Sequence, residues 1–343
     1  MSRPEERLDA LREEARRTGS VTGSGTRAVG GPIPAFAGDG DAPGYYGRPI
    51  VKPPVWTWEI PLYFFFGGLA GMAAAIALAA HLAGLATPGL AGSAAATGGL
   101  VRAALWLAFL CGAVLSPVLL VMDLGRPRRF LNMLRVLKPQ SPMSVGAWLL
   151  FLFGSGVSAA LVLTEWSIRY DVVPAVTALQ TLAVVAAGLL GAGLATYPGV
   201  LLGATAIPAW FAHHRSLPLH FGVAGLGSAA AALELLGFRE PALNVIGFAV
   251  AGIETLFGAW IELHRHGAVD RALRTGRAGL LLRGSGALAG PASLTLRLVG
   301  LVPWAALAFL AGALISRFGW LEAGRASGAD PEATLAAQGL NRL

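Results

Sequence analysis

An all-α bundle of about seven to eight transmembrane helices is the expectation for this chain, and three observations lead to it. Charged residues are 13% of its 343 residues and hydrophobic residues 55%, where a soluble domain averages about 25% and 45–50%. The apolar residues gather into seven runs, each near the ~20 residues that a helix needs to cross a bilayer. Lys and Arg gather in the loops between alternate runs, as the positive-inside rule requires. A strand-by-strand alternation of apolar and polar residues, the mark of an outer-membrane barrel, is not seen.

In chain order, residues 1–20 (MSRPEERLDALREEARRTGS) read as a short polar helix, with Ser2 and Glu5 at capping-box spacing. They lack the apolar core of a secretory signal. Residues 21–54 are rich in Gly and Pro and read as an extended arm or a loose terminus. The spans are expected at 59–83, 101–122, 145–164, 174–205, 219–237, 242–263 and 295–316, within a bundle covering 55–316. Ser141 and Pro142 suit the N-cap and N1 positions of the third. Residues 277–292 are a weaker apolar stretch. Arg283, the internal glycines, Pro291 and the short chain left before the last span favour a surface or re-entrant helix there over an eighth crossing. The tail 317–343 is polar.

Charge sets the topology. Arg126, Arg128, Arg129, Arg135 and Lys138 share one loop, and Arg265, Arg271, Arg274, Arg277 and Arg283 another. Arg48, Lys52 and Arg215 fall on the same side if there are seven spans. The opposite loops are almost bare, with Arg169 and Arg239. The N-terminus and the basic loops are therefore expected in the cytoplasm and the C-terminus outside. This also accounts for the high pI without nucleic acid. In the first and fourth spans, Gly67 and Gly71, then Ala187, Gly191, Ala195, Gly199 and Gly203, recur every four residues. Such stripes let helices approach closely where lipid offers no hydrophobic drive.

The single cysteine, Cys111, excludes an intramolecular disulfide, a CxxCH haem and a cysteine-held iron–sulfur cluster or zinc. It reads as an inert packing residue. Of the six histidines only His81 and His220 fall clearly within spans. Their spans place them toward opposite membrane faces, which disfavours a bis-histidine haem.

Ionisable groups at membrane depth are the candidates for chemistry. Glu59 opens the first span in VWTWEIPLYFFFGGLAG, beside Trp58; it is either a helix cap or an acid. Asp123 closes the second span in DLGRPRRF. Tyr197, in GAGLATYPGVLLG, is either a core tyrosine bonded to the carbonyl that Pro198 frees or a proton donor. Glu234, Glu254 and Glu262 are either a proton path or members of structural ion pairs. The topology brings Glu59, Asp123 and Tyr197 to the basic side. There a carboxylate, an arginine-flanked acid and a phenol can bind two carbonyl oxygens and supply protons, as the reduction of a quinone requires.

WTWEIPLYFFFGGLAG, DLGRPRRF followed by SPMSVGAW, and ATYPGVLL together resemble the NrfD family, the membrane subunits of polysulfide reductase and its relatives. The resemblance covers roughly residues 45–265. It implies no haem or iron–sulfur cluster of the chain's own, and electron exchange with menaquinone or ubiquinone. It implies a docked ferredoxin-like iron–sulfur subunit and a molybdopterin catalytic subunit as partners. Glu59 falls where the polysulfide-reductase subunit has a quinone-contacting asparagine. Asp123 matches the family's DLGRP acid and Tyr197 its quinone-site tyrosine. Arg126, Arg128, Arg129 and Trp58 would hold the loop, the quinone or the partner. In polysulfide reductase that site faces the periplasm, whereas the charges here favour the cytoplasm. A proton-conducting or transporter-like subunit and a passive anchor are the rival expectations.

Overall fold

The structure, a computed structural model, describes residues 50–86, 93–124, 130–170, 173–263 and 267–339. The polar helix over 1–20, the arm as far as residue 49, and the cluster of Arg126, Arg128 and Arg129 lie outside the described residues. So do His264, Arg265 and His266.

Among the described residues there is no β-strand, and eight long helices make the fold. Helix α1 is Glu59–Ala86. Helix α2 runs without a break through Ser93–Ala108, Phe109–Leu115 and Ser116–Asp123. Helix α3 is Pro142–Arg169, α4 Pro174–Gly203, α5 Ser216–Leu235 and α6 Pro241–Leu263. Helix α7 joins Gly276–Ala287, Leu288–Ala292 and Ser293–Leu298, and α8 is Val302–Ala329. All but α7 are long and apolar enough to cross a membrane. The chain is a multi-pass membrane protein.

Prolines shape several of these helices. Pro142 starts α3 behind Ser141, whose side chain accepts from the Ser144 N–H at 3.4 Å. Pro117 and Pro291 sit at the two wide π-turns. The ring and the missing N–H of proline disrupt the ordinary ladder, and i→i+5 bonds take over: the Ser116 N–H reaches the Cys111 carbonyl. The Ser116 hydroxyl donates to that same oxygen at 2.7 Å.

Helix α1 lies at the centre. It meets α4 where Gly71 faces Gly191; a Cβ on either would come within 2.1–2.3 Å of the other's carbonyl oxygen. It meets α5 where Gly68 faces Gly225. Gly199 likewise meets the Leu217–Pro218 backbone of α5. The small-residue stripes of α1 and α4 are thus places where backbones touch.

The end of the chain departs from the expectation. Helix α8 starts at 302 rather than 295, because Gly300 adopts φ +79° in the turn before it and Pro303 occupies its first turn. It then continues through Arg317, Glu322 and Arg325 to Ala329. Polar side chains are tolerated there because Ser316, Arg317 and Ser327 are buried against other helices.

The segment 277–292 is part of a full-length helix. At 23 residues (12 + 5 + 6), α7 is about 35 Å long, enough for a ~30 Å hydrocarbon layer. Two ion pairs pin it to opposite ends of the bundle. Arg283 meets Glu262, at the end of α6, at 2.7 Å, and Arg297 meets Glu234, at the end of the antiparallel α5, at 2.6 Å. Those pairs neutralise the arginines that lowered its hydropathy. Running from one end of the bundle to the other, α7 changes the end at which the C-terminus lies. The end of α8 returns to the start of α1, where Arg325 hydrogen-bonds the Trp56 carbonyl, so the expectation of a C-terminus opposite the basic loops does not hold.

Candidate functional site

The entry to α1 is fixed before the site begins. The Trp56 ring stacks on Trp210 (centroids 5.6 Å apart, planes at 16°). Arg325, itself bonded to Glu322 at 2.9 Å, holds the Trp56 carbonyl. Thr57 follows, and its hydroxyl joins two acids. It hydrogen-bonds the Glu59 carboxylate and lies 3.3 Å from Asp123 Oδ1. Glu59 and Asp123 are half-buried, while Thr57 and Trp58 are exposed. A hydroxyl has one proton to donate, so it serves one carboxylate at a time. A carboxyl group here can pass its proton to a bound acceptor and regain one from water.

Tyr197 is buried near the end of α4. Its hydroxyl donates to the Pro142 carbonyl at 2.5 Å and accepts from the Gly146 N–H. It therefore touches the carbonyl and the N–H at the two ends of the first turn of α3. The carbonyl freed by Pro198 is not its partner. Gly146 makes this possible, since a Cβ there would stand 2.1 Å from the ring's Cζ. Buried Tyr63, one turn beyond Glu59 on α1, interacts electrostatically with Tyr197.

An apolar groove of about 420 Å³ opens between α2 and α3, lined by Phe109, Pro117, Leu134, Ala147, Phe151 and neighbouring small residues. Asp123 is six residues past Pro117 on the same helix, about 9 Å along its axis.

Glu59 and Asp123 are thus brought together at Thr57, while Tyr197 is held against the start of α3. Arg126, Arg128 and Arg129 lie outside the described residues. The three glutamates divide. Glu254 and Glu262 line one cavity between α5, α6, α7 and α8. Glu234 is at the other end of α5, gripped by both Arg297 Nη atoms at 2.8 and 2.6 Å, with Asn244 beside it. His81 bonds Thr181 at 3.0 Å.

Sequence reasoning missed Thr57, Trp210 and Arg325. Thr57 reads as an ordinary residue ahead of a helix. Nothing local marks an arginine 269 positions from the carbonyl it holds.

Residues 50–244 match the polysulphide reductase NrfD family. The chain belongs to the NrfD family. A comparison with curated proteins returned no match. NrfD chains are membrane subunits of oxidoreductase complexes, and the seven long apolar helices suit a place in the bilayer. The NrfD match takes in α1 to α5 and the start of α6. It includes the Thr57–Glu59–Asp123 cluster, Tyr197 and the α2–α3 groove, but not α7, α8 or the Arg325 contact.

Proposed function

We propose that this chain is the quinone-interacting subunit of a respiratory oxidoreductase complex in the cytoplasmic membrane, with its N-terminus and basic loops in the cytoplasm. The observation that carries the reading is the meeting of two carboxyl groups at exposed Thr57, where α1 starts and α2 ends, about 9 Å along α2 from an apolar groove. A quinone gains two electrons and two protons to become a quinol. The groove suits its isoprenoid tail. Glu59 and Asp123 would supply or take the protons at the ring oxygens, and water at the bundle end would replenish them.

The electrons would come from, or go to, a docked ferredoxin-like iron–sulfur subunit served by a molybdopterin catalytic subunit, and Arg126, Arg128 and Arg129 would hold the loop, the quinone or the partner. Trp58, exposed beside Glu59, would flank the ring. Tyr197 enters as a positioning residue: its hydroxyl holds the start of α3 where the groove begins.

The test is quinone reduction by the assembled complex in membranes carrying Asp123→Asn or Glu59→Gln. Losing a general acid typically lowers turnover about 10²- to 10⁴-fold, and assembly, followed on native gels, should be unchanged. Wild-type turnover in both variants would refute the site.

A further inference from the structure

A second set of buried polar groups lies in the other half of the bundle, away from the acid pair. His220 of α5 and Glu254 of α6 face each other, Nδ1 to Oε1, at 3.3 Å, and their side chains are each 5% exposed. The other ring nitrogen, Nε2, is 3.1 Å from the Ser316 hydroxyl of α8. The imidazole is held flat against Phe257, ring centroids 4.4 Å apart. Neither His220 Nδ1 nor Glu254 Oε1 has a hydrogen-bond partner within the protein. Such atoms are costly to bury dry.

They are not buried against packed hydrocarbon. His220, Glu254 and Ser316 line a cavity of about 210 Å³. At roughly 30 Å³ per molecule, that is room for several waters, and the polar groups on its wall can hold them. Glu262 and Arg283 line the same cavity, and their ion pair is about half exposed. The cavity therefore runs from a half-exposed ion pair at the end of α6 inward to Glu254. That residue lies nine positions (263 − 254) from the helix end, about 14 Å along the axis.

The charges around the pocket come from the four long helices that wall it; the short helix Arg271–Arg274 adds Leu273 to the wall, and its Arg274 donates to the Ile261 carbonyl at 2.6 Å. Helix α5 gives His220, α6 gives Glu254 and Glu262, and α7 gives Arg283. From α8, buried Arg317 interacts electrostatically with Glu254. Its guanidinium lies 3.9 Å from the Phe221 ring centroid and donates to the Phe221 carbonyl at 3.2 Å. Arginine stays charged. With Glu254 ionised the inner site is neutral, and one added proton gives it a single positive charge beside the facing carboxyl and imidazole groups.

We propose that His220, Glu254 and Ser316 form a hydrated proton-exchange site inside the membrane, filled from the basic end of the bundle past the Glu262–Arg283 pair. The proton arrives from water, adds to the Glu254 carboxylate or to His220, and leaves by the same route; no electron moves. Glu234 has no part in it, since Arg297 occupies both its oxygens at the opposite end.

The test uses the full-length chain in native membranes with the lipid-soluble reagent dicyclohexylcarbodiimide. A protonated carboxyl adds across the carbodiimide, its proton passing to nitrogen and its oxygen to carbon, and rearranges to an N-acylurea with nothing lost. Peptide mass spectrometry should find the adduct on Glu254 and not on Glu234, falling as the pH rises and absent in Glu254→Gln. An unmodified Glu254 across the pH range would overturn the proposal. A second measurement reports hydration. In a Cys111→Ala chain, Ser316→Cys should react with a small methanethiosulfonate, while Ser228→Cys, from a buried serine bonded to the Ala224 carbonyl, should not. Equal protection of both thiols means a dry cavity and defeats the idea. Neither readout needs a quinone or a partner, so failure here leaves the quinone proposal standing.

Discussion

Replacing Arg297 with methionine strands Glu234 in a place that was built for a pair. The two side chains are 1% and 4% exposed. The arginine makes three hydrogen bonds of 2.6 to 3.0 Å, two to Glu234 and one to Asn244. Gly247 leaves the space, since a Cβ there would lie 2.0 Å from the guanidinium carbon. Breaking a buried pair by removing one partner costs about 3–5 kcal/mol, because a desolvated charge is left uncompensated, whereas replacing both with apolar groups is often neutral. At about 1.4 kcal/mol per tenfold, Arg297→Met should shift the folding equilibrium by about a hundredfold or more. Glu234→Met should do similar harm from the other side. The double variant should recover most of the loss, with a coupling of at least about 2 kcal/mol. Reversible unfolding in bicelles by steric trapping measures all four proteins on one scale. Singles within about 0.5 kcal/mol of wild type, the usual range for surface changes, would refute the burial argument. A double variant as unstable as the sum of its singles would show that the two charges do not act as a pair. Either result would remove the anchor that holds the far end of α7.

Two further outcomes follow from the same architecture. Reporter fusions at the two ends of the chain, one active only in the cytoplasm and one only outside it, should report the same side of the membrane. Opposite sides would mean that α7 does not cross. Gly146→Val should drive the Tyr197 ring off α3 and lower stability by about 1–3 kcal/mol, the usual range for overpacking. Thermal melts in detergent should show part of that recovered by adding Tyr197→Ala, and no recovery would place the strain elsewhere.

Much of the bundle was legible in the linear chain because lipid is a simple solvent. A backbone in hydrocarbon must satisfy its own hydrogen bonds, so a long apolar run has to be a helix. The starts of α1 and α4 were read to the residue, and those of α3, α5 and α6 to within three. The stripe in α4 marked its contact with α1, since only small residues let two backbones meet as Gly71 and Gly191 do. The same logic misread the last two helices. Hydropathy asks how a residue likes lipid, but Arg297 and Arg317 face other helices, where an ion pair or an aromatic ring and a carbonyl receive them.

For the candidate site, the linear chain singled out Glu59, Asp123 and Tyr197 as groups too polar for their setting, and the alternation of spans carried all three toward one end. It was silent on what each group touches. Thr57 joins the two acids, and Tyr197 is held between Pro142 and Gly146. Glu234 parts company with Glu254 and Glu262, although all three looked alike as carboxylates in apolar runs.

Composition and the spacing of apolar runs determined by themselves that this is a multi-pass helical membrane protein, because transfer from water to hydrocarbon depends on the side chains alone. Which buried charges are neutralised, which are left facing a cavity, and on which side the chain ends were decided by the tertiary structure. Those outcomes depend on partners brought to within 3 Å from tens to hundreds of residues away, as Arg297 is to Glu234 and Arg325 to Trp56. Electrostatic and hydrogen-bond energies that steep in distance cannot be read from one strand of text.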